Sequence, residues 1–260
     1  MLLWAGWDPA LQFSTAGPGA WAARRGYVWR VTYWVLKAIL TPIFYVLCRV
    51  KVEVRENIPK HGPVVLAANH QSFCDSFFIP LVVRRKVTFL AKAEYFDSWK
   101  TAWFFHAAGQ IPIRRGGGSV SERALDTARN DVLKEGHILG LYPEGTRTLD
   151  PYVHKGRTGV TRLSRECGVP IIPVGVVGTV EVQPVNAKFM RPFKTVTIRF
   201  GKPMQMDPPE NPDDPLANHD HTQCRDFTDR LMHEIARLSD REYIDQYVPT
   251  RASRQSDQAA

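Results

Sequence analysis

The chain has 260 residues, of which 44% are apolar and 23% charged, and carries a net charge of +8. That composition suits one or two folded domains with a sizeable core and excludes collagen, low-complexity polymers and disordered scaffolds. The four cysteines (Cys48, Cys74, Cys167, Cys224) form no CxxC pair, which excludes a disulfide framework, argues against a zinc ribbon and fits a reducing compartment.

Residues 1–27 read as a flexible leader. Asp8, two prolines and the lack of a basic start before an apolar core argue against a secretory signal. The first sixty residues hold eight basic groups against three acidic ones, with Trp29, Tyr33, Trp34, Phe44 and Tyr45 among aliphatics. That mixture suits an anionic bilayer surface. No nucleic-acid partner is expected, because no polar sheet motif with stacking aromatics is visible. Within the basic, aromatic segment the longest uncharged stretch, residues 38–48, has 11 residues and contains Pro42, whereas a span needs about 20. Residues 28–50 are therefore predicted as one or two helices lying in the interface plane, on the cytoplasmic face of the membrane. An ordinary buried core helix is the alternative.

From residue 51 to 247 the punctuation predicts one α/β domain with a mostly parallel sheet flanked by helices. Residues 63–68 form a short apolar run between Gly62 and Asn69, so a buried strand is expected. Asp75 can open a helix reaching residue 83. A strand over 87–91, a helix over 95–106 and an edge segment at 111–113 follow. Ser119 with Glu122 makes a capping box for a helix reaching Gly136. Next come a strand over 138–142, a helix over 156–167 stopped by Gly168, and strands over 171–177 and 195–200. Residues 207–220 hold five acids and four prolines and read as a surface loop. Phe227, Leu231, Ile235 and Leu238 recur at helical spacing, predicting a last helix to about residue 240. The tail, 248–260, is polar and expected to be disordered.

Two constellations carry chemistry. The first is Asn69-His70-Gln71-Ser72-Phe73-Cys74-Asp75, where His70 falls at a strand end and Asp75 at the next helix start. A turn of this length can fold the carboxylate onto the imidazole, fixing its tautomer and freeing the other nitrogen to take a proton. A structural histidine bonded to a helix-capping aspartate is the plainer alternative. The second is Tyr142-Pro143-Glu144-Gly145-Thr146-Arg147, again after a strand. Gly145 permits close backbone approach, Thr146 adds a hydroxyl, and Arg147 offers a planar fork for phosphate. Glu144 can instead be a structural ion-pair member, and the run a tight turn with a surface arginine. Gly109 through Arg115, and residues 169–174, form a basic turn and a proline-punctuated strand. Walker and GxSxG patterns are both lacking.

Taken in order, Asn69-His70 with Asp75, Gly109 through Arg115, Glu144-Gly145-Thr146-Arg147 and residues 169–173 resemble the four blocks of the glycerophosphate and lysophosphatidate acyltransferase family. The likeness covers roughly residues 50–203 and includes the Phe89-Leu-Ala-Lys92 run. It implies that His70 is the general base and Asp75 its orienting partner. It also implies that Lys92, Arg115 and Arg147 hold an acceptor's phosphate, with Glu144, Gly145 and Thr146 in the substrate site. Pro112 and Arg114 depart from the family's second block, which bears on acceptor choice. The expected substrates are a lysophospholipid acceptor and an acyl thioester donor, acyl-CoA or acyl carrier protein, at an anionic membrane surface. The thioester is already activated, so no serine or cysteine intermediate is required, and neither a metal nor a redox cofactor is expected. Glycerol-3-phosphate or another lysophospholipid is the alternative acceptor. A non-catalytic lipid-binding module is the alternative of a different class.

Overall fold

The computed structural model describes residues 27–113, 119–184, 187, 189–207 and 221–249. Helix α1 (Tyr27–Leu47) leads into strand β1 (Arg49–Glu53), and β2 (Val64–Ala68) follows a short 3-10 turn. After β2 come α2 (Asp75–Val82), β3 (Val87–Lys92), α3 (Glu94–Asp97), α4 (Trp99–Ala107) and β4 (Ile111–Ile113). The middle of the chain holds α5 (Ser119–Ala128), β5 (Ile138–Leu141), β6 (Val153–His154) and α6 (Gly159–Cys167). It closes with β7 (Ile171–Val177), α7 (Thr179–Val182), β8 (Thr195–Phe200), α8 (His221–Leu238) and β9 (Tyr243–Ile244).

Seven strands form one sheet in the order β1-β8-β7-β2-β5-β3-β4. Every pairing in it is parallel except that of β7 with β8. This is the expected α/β architecture. β2 sits at the centre, buried along its whole length, as a continuous apolar run in a doubly covered parallel sheet should be. Its side chains alternate between two cores. Val64, Leu66 and Ala68 pack with Phe78, Ile79 and Phe44 on one face. Val65 and Ala67 pack with Leu163, Leu231 and Ile235 on the other.

Several boundaries differ from the sequence-based expectation. β1 begins at Arg49, inside the stretch assigned to membrane helices, and pairs with β8 from Arg49↔Thr195 onward. Its pattern, Arg-Val-Lys-Val-Glu, exposes the charged residues at one edge of the sheet and hides the strand behind them. The helix expected over 95–106 is two helices, because Ser98 is extended (φ −96°, ψ 125°). The helix expected to reach Gly136 gives way at Arg129 to a π-type turn, Arg129–Leu133. The next helix starts at Gly159, three residues later than expected. The leader up to residue 26, the acidic loop from 208 to 220 and the tail from 250 lie outside the described residues.

The sheet opens at one place. β3 follows β5 only through Phe89↔Gly140, and from Leu90↔Ile111 onward it follows β4 instead. The carboxyl ends of β3 and β5 therefore splay apart. In α/β sheets this is where ligands bind.

Candidate active site

At the carboxyl end of β2 the chain must leave the sheet without stranding backbone groups. Asn69 manages this with its side chain. Its amide donates to Val176 O (2.9 Å) and accepts from Val176 N (2.8 Å), prolonging the β2–β7 ladder by one rung. The backbone is then free to turn out, and His70 is the first residue beyond.

Asp75, fully buried in the first turn of α2, gathers that turn on one oxygen. Oδ2 accepts from Nδ1 of His70 (3.0 Å) and from the amides of Gln71 (2.8 Å) and Ser72 (2.9 Å). A carboxylate at a helix start is favoured by the helix dipole, and three donors compensate its burial. The anticipated pair is thus formed. With Nδ1 taken, Nε2 is the nitrogen left for chemistry, and His70 lines a cavity of about 640 Å³.

The second constellation folds against the first. Tyr142 O accepts from Gly145 N (2.9 Å), closing a tight turn in which Gly145 has φ +73°, a conformation glycine adopts without strain. A side chain there would also crowd Arg157 Nε at 3.0 Å. Thr148 grips His70 from behind, both its N (2.8 Å) and its Oγ1 (3.0 Å) donating to His70 O. Tyr142 lays its ring on the imidazole.

The site residues named from the sequence fall in different places. Lys92, Gly145, Thr146 and Arg147 line the same cavity as His70. Lys92 Nζ meets Glu94 at 2.9 Å, but both side chains are substantially exposed, so the pair is weak and exchangeable. Glu144 is placed otherwise: it is 2% exposed. Its Oε1 accepts from the amide of His70 (3.1 Å) and its Oε2 from that of His154 (3.2 Å). Burial pushes its carboxyl up to about 7, the two amides opposing that rise. Its geometry is that of a brace behind His70, not of a surface group. Arg115 lies outside the described residues, although Ile113, at the end of β4, lines the cavity.

Sequence reading missed Arg157. Its amide donates to Pro143 O (2.8 Å), tying the segment before α6 to the Glu144–Arg147 turn. Its side chain lines the cavity beside Thr146 and Arg147. The signal present was Lys155-Gly156-Arg157 just before a helix start. The remaining walls are apolar, with Phe77, Leu81, Phe89 and Phe104 on one side and Leu36 and Leu40 of α1 on another. Lys37 of α1 also lines it and donates to Val83 O. Burial, and then Arg55, bring its ammonium down to about 8.

The fold and this site define an α/β protein with a hydrogen-bonded His70–Asp75 pair at the open carboxyl edge of its sheet, facing a largely apolar cavity that Lys92, Arg147 and Arg157 also line. The chain matches the model of the acyltransferase family over residues 49–177 and belongs to that family. It is 30% identical over 171 residues to a 1-acyl-sn-glycerol-3-phosphate acyltransferase of Chlamydomonas reinhardtii, covering 65% of this chain and 50% of the relative. A chloroplastic 1-acyl-sn-glycerol-3-phosphate acyltransferase of Arabidopsis thaliana is 26% identical over 161 residues, 62% of this chain and 45% of that protein. A lyso-ornithine lipid O-acyltransferase of Pseudomonas aeruginosa is 31% identical over 149 residues, 56% and 53% of the two chains. The chain thus spans about half the length of these relatives. In fold it is similar to the crystal structure of the 1-acyl-sn-glycerophosphate acyltransferase of Thermotoga maritima. The TM-score is 0.59 at 22% identity, over 84% of this chain and 82% of that one.

Proposed function

We propose that this protein transfers a fatty acyl group from an acyl thioester to the free hydroxyl of 1-acyl-sn-glycerol-3-phosphate, giving phosphatidate. The donor is acyl-CoA or acyl carrier protein. The observation that carries this reading is a single cavity shared by His70, Lys92, Thr146, Arg147 and Arg157 and walled by apolar side chains. Cations at one end suit a phosphate. The apolar part suits an acyl chain: it reaches from Lys92, at the carboxyl end of β3, to Tyr33, whose hydroxyl accepts from Val87 N at the other end. At the usual strand rise that is about 16 Å.

In this reading Nε2 of His70 takes the proton of the acceptor hydroxyl as its oxygen bonds to the thioester carbonyl carbon. The C–S bond breaks, the thiolate leaves with its electron pair, and the imidazolium returns the proton to sulfur. An ester and a free thiol result. The cationic rim places the hydroxyl beside the base, which is a proximity effect. No covalent enzyme intermediate, metal or redox cofactor is called for. Cys74 is a poor nucleophile in any case, because burial pushes its thiol up to about 12.

The substrates are membrane amphiphiles, and α1 offers a way to meet them. No helix among the described residues is long and apolar enough to cross a membrane. The outer side of α1 nevertheless exposes Val31, Trp34, Val35, Ile39, Ile43 and Val46 at helical spacing. Trp99 and Trp103 of α4 are also exposed, and α4 packs against α1. In this reading the stripe lies in the bilayer interface at the cytoplasmic face, with Arg49 and Lys51 toward anionic headgroups. The anionic partner is lipid, not nucleic acid.

One relative, named for lyso-ornithine lipid, favours a second acceptor reading in which the lysolipid lacks a phosphate. The test is product formation by the purified protein with acyl-CoA or acyl carrier protein. The acceptors are lysophosphatidate, glycerol-3-phosphate and lyso-ornithine lipid. Lysophosphatidate should be used best. Transfer to lyso-ornithine lipid alone would establish the second reading, and transfer to none would overturn both.

A further inference from the structure

We propose that Tyr142 is a positioning residue for the base: its ring, laid flat on the imidazole of His70, fixes that ring's plane and favours its protonated form during proton transfer. The inference rests on His70 being the base. The two rings stack with centroids 3.9 Å apart and planes within 12°. Behind Tyr142, Phe89 stacks at 5.2 Å and 22°, so three rings form one column. The Tyr142 hydroxyl is held by Ser76 Oγ at 3.0 Å, which fixes rotation of the ring within its plane.

The column supplies something the His70–Asp75 hydrogen bond cannot. A bond at Nδ1 limits rotation about Cβ–Cγ only within the angular tolerance of a hydrogen bond. A flat neighbour narrows that tolerance. The face of an aromatic ring also carries negative potential, so a cation resting on it is stabilised. His70 becomes such a cation when it takes the acceptor's proton. Tyr142 itself stays a neutral phenol, because burial, and then the Asp75 carboxylate, push it well above its ordinary value.

The charged and titratable groups around His70 are few. Asp75 faces it from α2, and Glu144 lies behind its backbone. Lys37, Lys92, Arg147 and Arg157 line the same cavity. Arg241 acts on both Asp75 and Glu144. Cys74 is in the same turn. Asp75 holds the imidazole edge and Tyr142 its face.

The experiment replaces Tyr142 with Phe, with Leu, and with phenylalanines carrying increasing ring fluorine, which keep the shape of Phe while draining the ring's face of negative potential. Two quantities are read: the acid limb of kcat/KM against pH, and the NMR titration of the His70 ring. Tyr142→Leu should lower kcat/KM about threefold and move both titrations down by about half a unit. Tyr142→Phe should restore most of that loss. Added fluorine should move the titrations down stepwise, a result that remains available if the Leu variant does not fold. Identical His70 titration in the Phe and fluorinated proteins would overturn the proposal. If His70→Ala is inactive while fluorination moves nothing, the positioning role alone fails. If His70→Ala keeps full turnover, the base reading fails and takes this inference with it.

Discussion

Replacing Glu144 by Gln tests the brace behind the base. In the native protein each carboxylate oxygen accepts one backbone amide, from His70 at 3.1 Å and from His154 at 3.2 Å. Gln keeps one acceptor and turns an NH2 toward the other amide, so two donors face each other in a buried place. Leaving that donor unpaired should cost about 1–3 kcal/mol. The cost should also depend on pH. The carboxyl rises from its ordinary 4.5 to about 7 on folding, chiefly by burial. A raised acid binds its proton more tightly in the folded chain. Its contribution is fully present below 4.5 and is lost as pH climbs through 7. Those 2.5 units amount to roughly 3 kcal/mol. Gln does not titrate, so the wild-type advantage over Glu144→Gln should be largest near pH 4.5 and shrink toward pH 8. Urea unfolding of both proteins at several pH values measures this directly. A difference that is flat from pH 4.5 to 8, or one that grows with pH, would refute the reasoning.

The remaining expectations concern the site and its approach. His70→Ala should abolish product formation with the circular dichroism spectrum unchanged, and Asp75→Asn should lose about 10²–10⁴-fold; near-native turnover in either would count against the pair. Arg157→Ala and Arg147→Lys should raise KM for lysophosphatidate about tenfold, leaving that for the thioester little changed. Equal losses with a phosphate-free acceptor would remove both arginines from the phosphate site. Ile39→Glu or Val46→Glu should lower binding to anionic vesicles by tenfold or more, since each apolar side chain contributes about 1.5–3 kcal/mol when buried. A short-chain, water-soluble acceptor should still be acylated by these variants, and unchanged vesicle binding would dismiss the stripe as a membrane face.

What was legible in the sequence follows from what each feature leaves in it. Residues 64–68 are apolar without interruption because both faces of β2 are covered, and no other environment for so short a run writes that pattern as clearly. His70 and Asp75 were legible because their contact closes within one turn, five residues apart. Glu144 was not, since its partners are backbone amides of His70 and His154, and an amide has no letter. Residue type marked it as a charged group beside Arg147, whereas the fold turns it inward. β1 was hidden for the opposite reason to β2: at the sheet edge its charged side chains are tolerated, and the alternation merges with the basic segment before it. The break at Ser98 leaves only a weak mark, because Glu94 through Ala107 is compatible with one helix and tertiary packing decides where it bends. Arg157 reaches the site across the β6–α6 connection, a distance in sequence that no local motif encodes.

The opening between β3 and β5 brings helix α1 and the His70–Asp75 pair to one cavity. Gly140 is where the two strands part, and a side chain there would strike the Phe89 ring at 2.4 Å. The absent side chain lets Phe89 lie over the strand, and Phe89 in turn backs Tyr142. Beyond that rung the strands diverge and the cavity opens, with His70 at its edge. The same cavity is closed on another side by Tyr33, Leu36 and Leu40 of α1, while the opposite stripe of that helix is exposed. A helix with two apolar faces is ordinarily a buried one. Here one face walls the cavity, and in the proposed arrangement that cavity takes the acyl chain while the other face rests in lipid. An acyl chain leaving the bilayer beside α1 then reaches His70 along apolar surface, without passing through water at roughly 0.8 kcal/mol per exposed methylene. That saving is larger for longer chains. In the proposed arrangement it is the physical reason for an α/β domain to carry an amphipathic helix against the wall of this cavity.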